Sequence, residues 1–151
     1  MTSRNYAPTD AAATREVFLE AVSVIASEDY PPELIDVWLS GADELSAWAA
    51  AMEAVAVCRV LEDEAGLYAF GSLTSDGDIH MLMCHPRRAR QGAATQLLAE
   101  LVDRAHALGL KALNTQASLC ARRTFEKVGF AVTEERNVRG LVCFGMRMDL
   151  A

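Results

Sequence analysis

The chain has 151 residues, 52% hydrophobic and 23% charged, the size and make-up expected of one globular domain over residues 1–151. Its formal charge of −7 disfavours a protein that works by neutralising nucleic-acid phosphates and suits a cationic small-molecule partner. The most apolar window, Ser46 to Cys58, is too short to cross a bilayer and contains Glu53. Residues Met1 to Tyr6 lack the apolar run of a secretion signal, so a cytoplasmic protein with no membrane partner is expected.

In chain order, a short strand is expected around Ser3 to Ala7. Thr9 or Asp10 then caps a helix to about Ala26, because Val17, Phe18, Ala21, Val22 and Ile25 recur at helical spacing. Pro31 and Pro32 suit the first turn of a second helix that stops at Ser40-Gly41, and Asp43 caps a third through Met52. The period then changes. Ala54 to Leu61, Gly66 to Thr74 and Asp78 to His85 read as three strands, joined by the polar Glu62 to Ala65 connection and the Ser75-Asp76-Gly77 turn, hence an antiparallel meander. Ala94, Leu97, Leu98, Leu101, Ala105 and Leu108 give the clearest helical stripe, with Gly109 placed as its terminal glycine. Lys111 to Thr115 returns as a strand, and Ser118 caps a helix to Val128. Ala131 to Arg136 and Leu141 to Met148 close a mixed-sheet α/β domain. Cys58, Cys84, Cys120 and Cys143 form no close pair and lie in apolar stretches, which points to buried thiols and no metal site.

The segment from Met81 to Leu98 carries the chemistry. An apolar strand runs through Pro86 into a basic loop, then small residues, then the amphipathic helix. The first N–H groups of a helix are unpaired and partly positive, so they can bind a phosphate, and Gly92, Ala93 and Ala94 leave it room to approach. Arg87, Arg88 and Arg90 concentrate positive charge there within an acidic chain. A nucleotide-binding domain is the weaker expectation, because neither a P-loop Gly-Lys-Ser/Thr nor a dinucleotide glycine pattern is present.

This run resembles the central motif of the GNAT acetyltransferases, hydrophobic-x-Pro-x-x-Arg/Gln-x-x-Gly-x-Gly/Ala, with His85-Pro86 and Gly92-x-Ala94 on matching positions. The stretch Ala121-Arg-Arg-Thr-Phe125-Glu-Lys-Val-Gly-Phe130 resembles the second signature of the family, Ala-x-x-x-Tyr-Glu-Lys-x-Gly-Phe. Asp29-Tyr30-Pro31-Pro32, with Trp38 and Trp48, is similar to one bacterial subgroup. Two departures stand out: Ala89 replaces the usual Arg or Gln, and Phe125 the usual Tyr, which removes the common general acid.

The resemblance implies a GNAT-like α/β fold, a mixed, mostly antiparallel sheet with a splayed strand pair and flanking helices. It implies acetyl-CoA as acyl donor and direct transfer to a primary amine, expected to belong to a small molecule. Cofactor contacts are expected from the backbone of Met83 or Cys84, from Arg88, Arg90, Gln91, Gly92, Ala93, Ala94 and Thr95, and from Asn114, Ser118 and Phe125. Asp78 falls where some members carry a catalytic Glu, and His80 lies two residues on, so either can serve as base through water. Asp29, Tyr30 and Trp38 are the expected acceptor wall. A homodimer is compatible with the family. The alternative is a catalytically silent acyl-CoA sensor or scaffold, favoured by Ala89 and Phe125.

Overall fold

A computed structural model of the chain describes residues 2–25, 31–33, 36, 39, 44–119, 121–138 and 141–150. Their elements are β1 (Thr2–Asn5), α1 (Ala11–Glu20), α2 (Leu45–Glu53), β2 (Val57–Asp63), β3 (Gly66–Leu73), β4 (Asp78–Cys84), α3 (Ala93–Ala107), β5 (Ala112–Ser118), α4 (Arg122–Val128), β6 (Ala131–Val138) and β7 (Leu141–Asp149). The seven strands form one sheet in the order β1-β2-β3-β4-β5-β7-β6, antiparallel at every junction except β4 with β5. The expected mixed, mostly antiparallel α/β sheet is therefore present.

Each face of the sheet has its own core. On one, Val17, Phe18 and Val22 of the first helical segment pack with Trp48 and Met52 of α2 over Val60 and Phe70. Trp48 lies 5.1 Å from the Phe18 ring, and its Nε1–H donates to Thr14 Oγ1 at 3.0 Å, so its polar edge is satisfied inside the core. On the other face, α3 buries Leu97, Leu98 and Leu101 completely, each contributing about 1.5–3 kcal/mol. A Cβ on Gly71 would come within 3.1 Å of the Leu101 and Leu82 methyls, so glycine there lets α3 sit close to the sheet.

Two irregularities in the central strands matter for the site. Between β2 and β3 the register steps from Leu61↔Ala69 to Glu62↔Leu67, so Tyr68 is an inserted residue. Between β3 and β4 it steps from Ser72↔Met81 to Leu73↔Ile79, so His80 is another. Each insertion reverses the side-chain alternation of its strand at that point.

Several boundaries differ from expectation. Asp10 does not start α1 as a simple cap. It ends a 3-10 turn, Pro8–Asp10, and its carboxylate accepts from the Ala7 N–H and the Arg4 guanidinium. The helix continues as a single wider π turn, Ala21–Ile25. Ala54 to Ala56 form the exit from α2 rather than a strand, and β2 runs on to Asp63. Ser118 is not a helix cap: it pairs with Cys143 as the last residue of β5, and α4 begins only at Arg122. Pro32, Glu33, Asp36 and Leu39 are helical, while Asp43 and Cys120 lie outside the described residues. Among the described residues no helix is long and apolar enough to cross a membrane.

Candidate active site

The two parallel strands stay together for only two residue pairs, Asp78↔Asn114 and Ile79↔Thr115. The foot of the pair is held by the Asn114 N–H on the Gly77 carbonyl at 2.9 Å, and by the Thr115 hydroxyl on the Ile79 carbonyl at 3.1 Å. Beyond it β4 continues to Cys84 and β5 to Ser118 without pairing, so the sheet opens into a notch between them. The other edge of β4 stays bonded to β3, ending with the His85 N–H on the Tyr68 carbonyl at 2.7 Å. Antiparallel alternation then turns the Met81 and Met83 amides toward β3 and those of Leu82 and Cys84 toward the notch. Of the two backbone donors expected, Cys84 is therefore the one aimed at the opening.

At the head of β4 the chain makes a tight reversal. His85 caps the 3-10 turn Pro86–Arg88, its Nδ1 accepting the Arg87 N–H at 3.1 Å. Proline suits the first position because its missing N–H is not needed there. Arg90 (φ 61°) and Gly92 (φ 85°) both take left-handed conformations and redirect the chain into α3. No side chain caps α3 at Gly92, and a Cβ built on Gly92 meets nothing within 4 Å. The first-turn amides, Ala93 to Thr95, thus have no side-chain cap, and the Cβ side of Gly92 beside them is open to an approaching anion.

The loop arginines are not loose. Arg87 forms a bidentate pair with Asp63, at 2.8 and 3.2 Å, and Arg88 contacts the same carboxylate through Nε at 2.9 Å and Nη2 at 2.7 Å. Both guanidinium groups lie over the Tyr68 ring, 5.4 and 4.8 Å from its centroid. These charged donors hold the Asp63 carboxyl far below the usual carboxylate range and raise Arg87. Arg88 also donates to the Gln91 side chain at 3.3 Å. With Tyr68, Gln91, Ala93 and Gln96, it lines a hollow of about 110 Å³ beside the start of α3.

Asp63 and Tyr68 are the residues that sequence reasoning missed. Asp63 sits in a polar run that reads as a solvent turn, and only the β2–β3–β4 register brings it under the loop. Phe125 is a correction of the opposite kind. It is 3% exposed, its ring 5.2 Å from Phe130 in an edge-to-face contact, so it is packed in the core beneath β5. Asp78 and His80 stand exposed at the foot of β4, the Asp78 N–H bonded to Thr74 Oγ1. Asn114 and Ser118, on β5, bracket the far wall of the notch. Asp29, Tyr30 and Trp38 lie outside the described residues. A larger groove of about 380 Å³, lined by Tyr6, Glu53, Cys58 and Arg104 among others, lies by the start of β2, away from the loop.

A notch opened between parallel strands, with an uncapped helix N-terminus at its head, has the form that an acyltransferase with a long phosphorylated donor requires. The chain belongs to the GNAT acetyltransferases: residues 26–150 match the Acetyltransferase (GNAT) domain, a family whose acyl donor is acetyl-CoA. It is 30% identical over 136 residues to the uncharacterised N-acetyltransferase YafP of Escherichia coli (strain K12), covering 89% of this chain and 84% of that protein. A GCN5-related N-acetyltransferase from Rhodopseudomonas palustris superposes with a TM-score of 0.91 at 27% identity, over 99% of this chain and 95% of that one. The PaiA N-acetyltransferase of Thermoplasma acidophilum, in complex with coenzyme A, shares the fold at a TM-score of 0.82 and 15% identity, over 99% and 98% of the two chains.

Proposed function

We propose that this enzyme transfers the acetyl group of acetyl-CoA directly to a primary amine on a small molecule. One observation carries the reading: the strand pair opens at the same end of the sheet at which the uncapped amides of α3 stand beside the open Cβ side of Gly92. The residues fit the donor. The amides of Ala93, Ala94 and Thr95 would hold its pyrophosphate, and the walls of the notch, with Asn114 and Ser118, would take its pantetheine arm.

The donor supplies a thioester, an acyl group on a good leaving group. The Cys84 N–H polarises the thioester carbonyl and stabilises the oxyanion that forms when the amine attacks. An ammonium ion has no lone pair, so a base must take its proton; exposed Asp78 and His80 do so through water. No positioned acid is required of Phe125, because a thiol titrates near ~8.5 and its thiolate can leave as an anion and be protonated from water. An acyl-cysteine route is unfavourable. Burial raises the Cys84 thiol, keeping it protonated near neutral pH, and its Sγ lies 3.5 Å from the His85 and Arg88 carbonyl oxygens. The charge of −7 favours a cationic acceptor.

The test is release of free thiol from acetyl-CoA across a panel of small primary amines and peptide N-termini. Turnover with the small amines alone is expected; turnover with peptides alone would move the acceptor to a macromolecule. Ala89 and Phe125, standing where the family usually has Arg or Gln and Tyr, favour one rival, a silent acyl-CoA sensor. Tight CoA binding with no thiol release on any amine would support it.

A further inference from the structure

The Asp63 side chain is only 10% exposed although it ends a strand at a turn. Its two oxygens receive the Ala65 N–H at 2.9 Å and four guanidinium contacts, which saturates the roughly four acceptor sites of a carboxylate. The remaining reach of the arginines is also committed: Arg87 Nη2 donates to the Gly66 carbonyl at 3.2 Å and Arg88 Nη1 to Gln91. Tyr68 supports both planes from below. The basic loop is thus fastened to the ends of β2 and β3, and five residues after Arg88 the first amide of α3 appears.

We propose that Asp63 is a positioning residue for acetyl-CoA: acting through Arg87, Arg88 and the Tyr68 ring, it presets the Pro86–Gly92 loop so that the α3 amides face the notch before the donor arrives. The arginines then supply shape, and the phosphate is gripped by backbone. This rests on the reading that the α3 N-terminus takes the pyrophosphate. It differs in sign from the obvious alternative. If Arg87 and Arg88 were direct phosphate ligands restrained by Asp63, neutralising Asp63 would release two cations to the donor.

The experiment is calorimetric titration of CoA into the full chain carrying Asp63→Asn, at several salt concentrations, together with steady-state kinetics. Presetting predicts weaker binding by about tenfold, equivalent to about 1.4 kcal/mol, as the loop must be ordered on binding. KM for acetyl-CoA should rise while kcat at saturation holds, the salt slope should not change, and Asp63→Glu should partly rescue. Tighter binding with a steeper salt dependence, or no change, would overturn the proposal. Arg88→Gln provides the same test should Asp63→Asn not fold: presetting expects weaker binding with an unchanged salt slope, and direct ligation a shallower slope. Gly92→Glu separates the two levels. If it leaves CoA affinity intact, the pyrophosphate site itself is wrong; if it abolishes binding while Asp63→Asn does nothing, only the role of Asp63 fails.

Discussion

The two ends of β4 are built differently. At its head, the loop to α3 is tied down before any ligand arrives, with both arginines committed to Asp63 and stacked on Tyr68. At its foot, Asp78 and His80 are exposed, and neither side chain makes a described hydrogen bond or ion pair. On the function proposed, donor recognition is prearranged by the fold, whereas proton handling at the acceptor end is left to substrate and water. A rigid head suits a cofactor that is always the same molecule. An open foot suits an acceptor that brings its own geometry.

The largest expected effect tests the foot. Replacing both candidate bases, Asp78→Asn with His80→Gln, should lower kcat roughly 100-fold or more at neutral pH with KM for acetyl-CoA unmoved. Unchanged kcat would mean that the amine reaches the site already neutral, and the contrast between the ends would lose its catalytic half. At the head, Gly92→Glu sets a carboxylate against the pyrophosphate on a backbone that disfavours side chains; CoA affinity should fall roughly 100-fold, as measured by calorimetry, with cooperative unfolding retained. A smaller effect sharpens the comparison by touching neither end. Thr14→Val leaves the buried Trp48 N–H without its acceptor, so stability to urea should drop by about 1–3 kcal/mol while CoA affinity stays the same.

The gentlest perturbation is acid. Asp10, Glu62, Asp63 and Glu100 all titrate lower in the folded chain than free carboxylates do; hydrogen bonds from Arg4 lead for Asp10 and Glu62, and from Arg87 for Asp63, while for Glu100 the bonds from Ser3, Arg59 and Gln96 outweigh its burial. On acidification the unfolded chain takes up protons first. Their stabilisation is thus complete above about pH 5, past the unfolded values, and is lost as pH falls below it. Thermal unfolding between pH 6 and pH 3 should show the midpoint falling only in the lower part of that range, and Asp63→Asn should flatten the fall.

Much of this was legible in the sequence because it is local. The α3 stripe and the glycine turns at Gly77 and Gly109, both at positive φ, are set by periodicity and backbone freedom. The loop from His85 to Thr95 was legible for the same reason. What escaped depends on pairing between distant segments. Ser118 has the chemistry of a cap, but its partner Cys143 lies in β7, and the ladder won. The apolar Ala54 to Ala56 could end a helix or begin a strand, and composition does not distinguish them. Asp63 looked like solvent-facing turn because its partners lie 24 and 25 residues away. Phe125 matches a motif position, yet α4 turns its ring into the core against Phe130.

The two inserted residues tie the chemistry to the phase of the pleat. Ile79 directs its carbonyl to β5. Were His80 paired in strict alternation instead of inserted, the amides of Met81 and Met83 would turn into the notch and Cys84 would be bonded to β3. The register step at His80 thus decides which amides face the notch, independently of whether the His80 side chain serves as a base. The same holds for Tyr68, whose insertion sets its ring on the α3 face together with Ala69. Register in these strands is therefore as restrictive as residue type. A relative whose strand has the same length but lacks this register step should be expected to present another set of backbone groups to its donor.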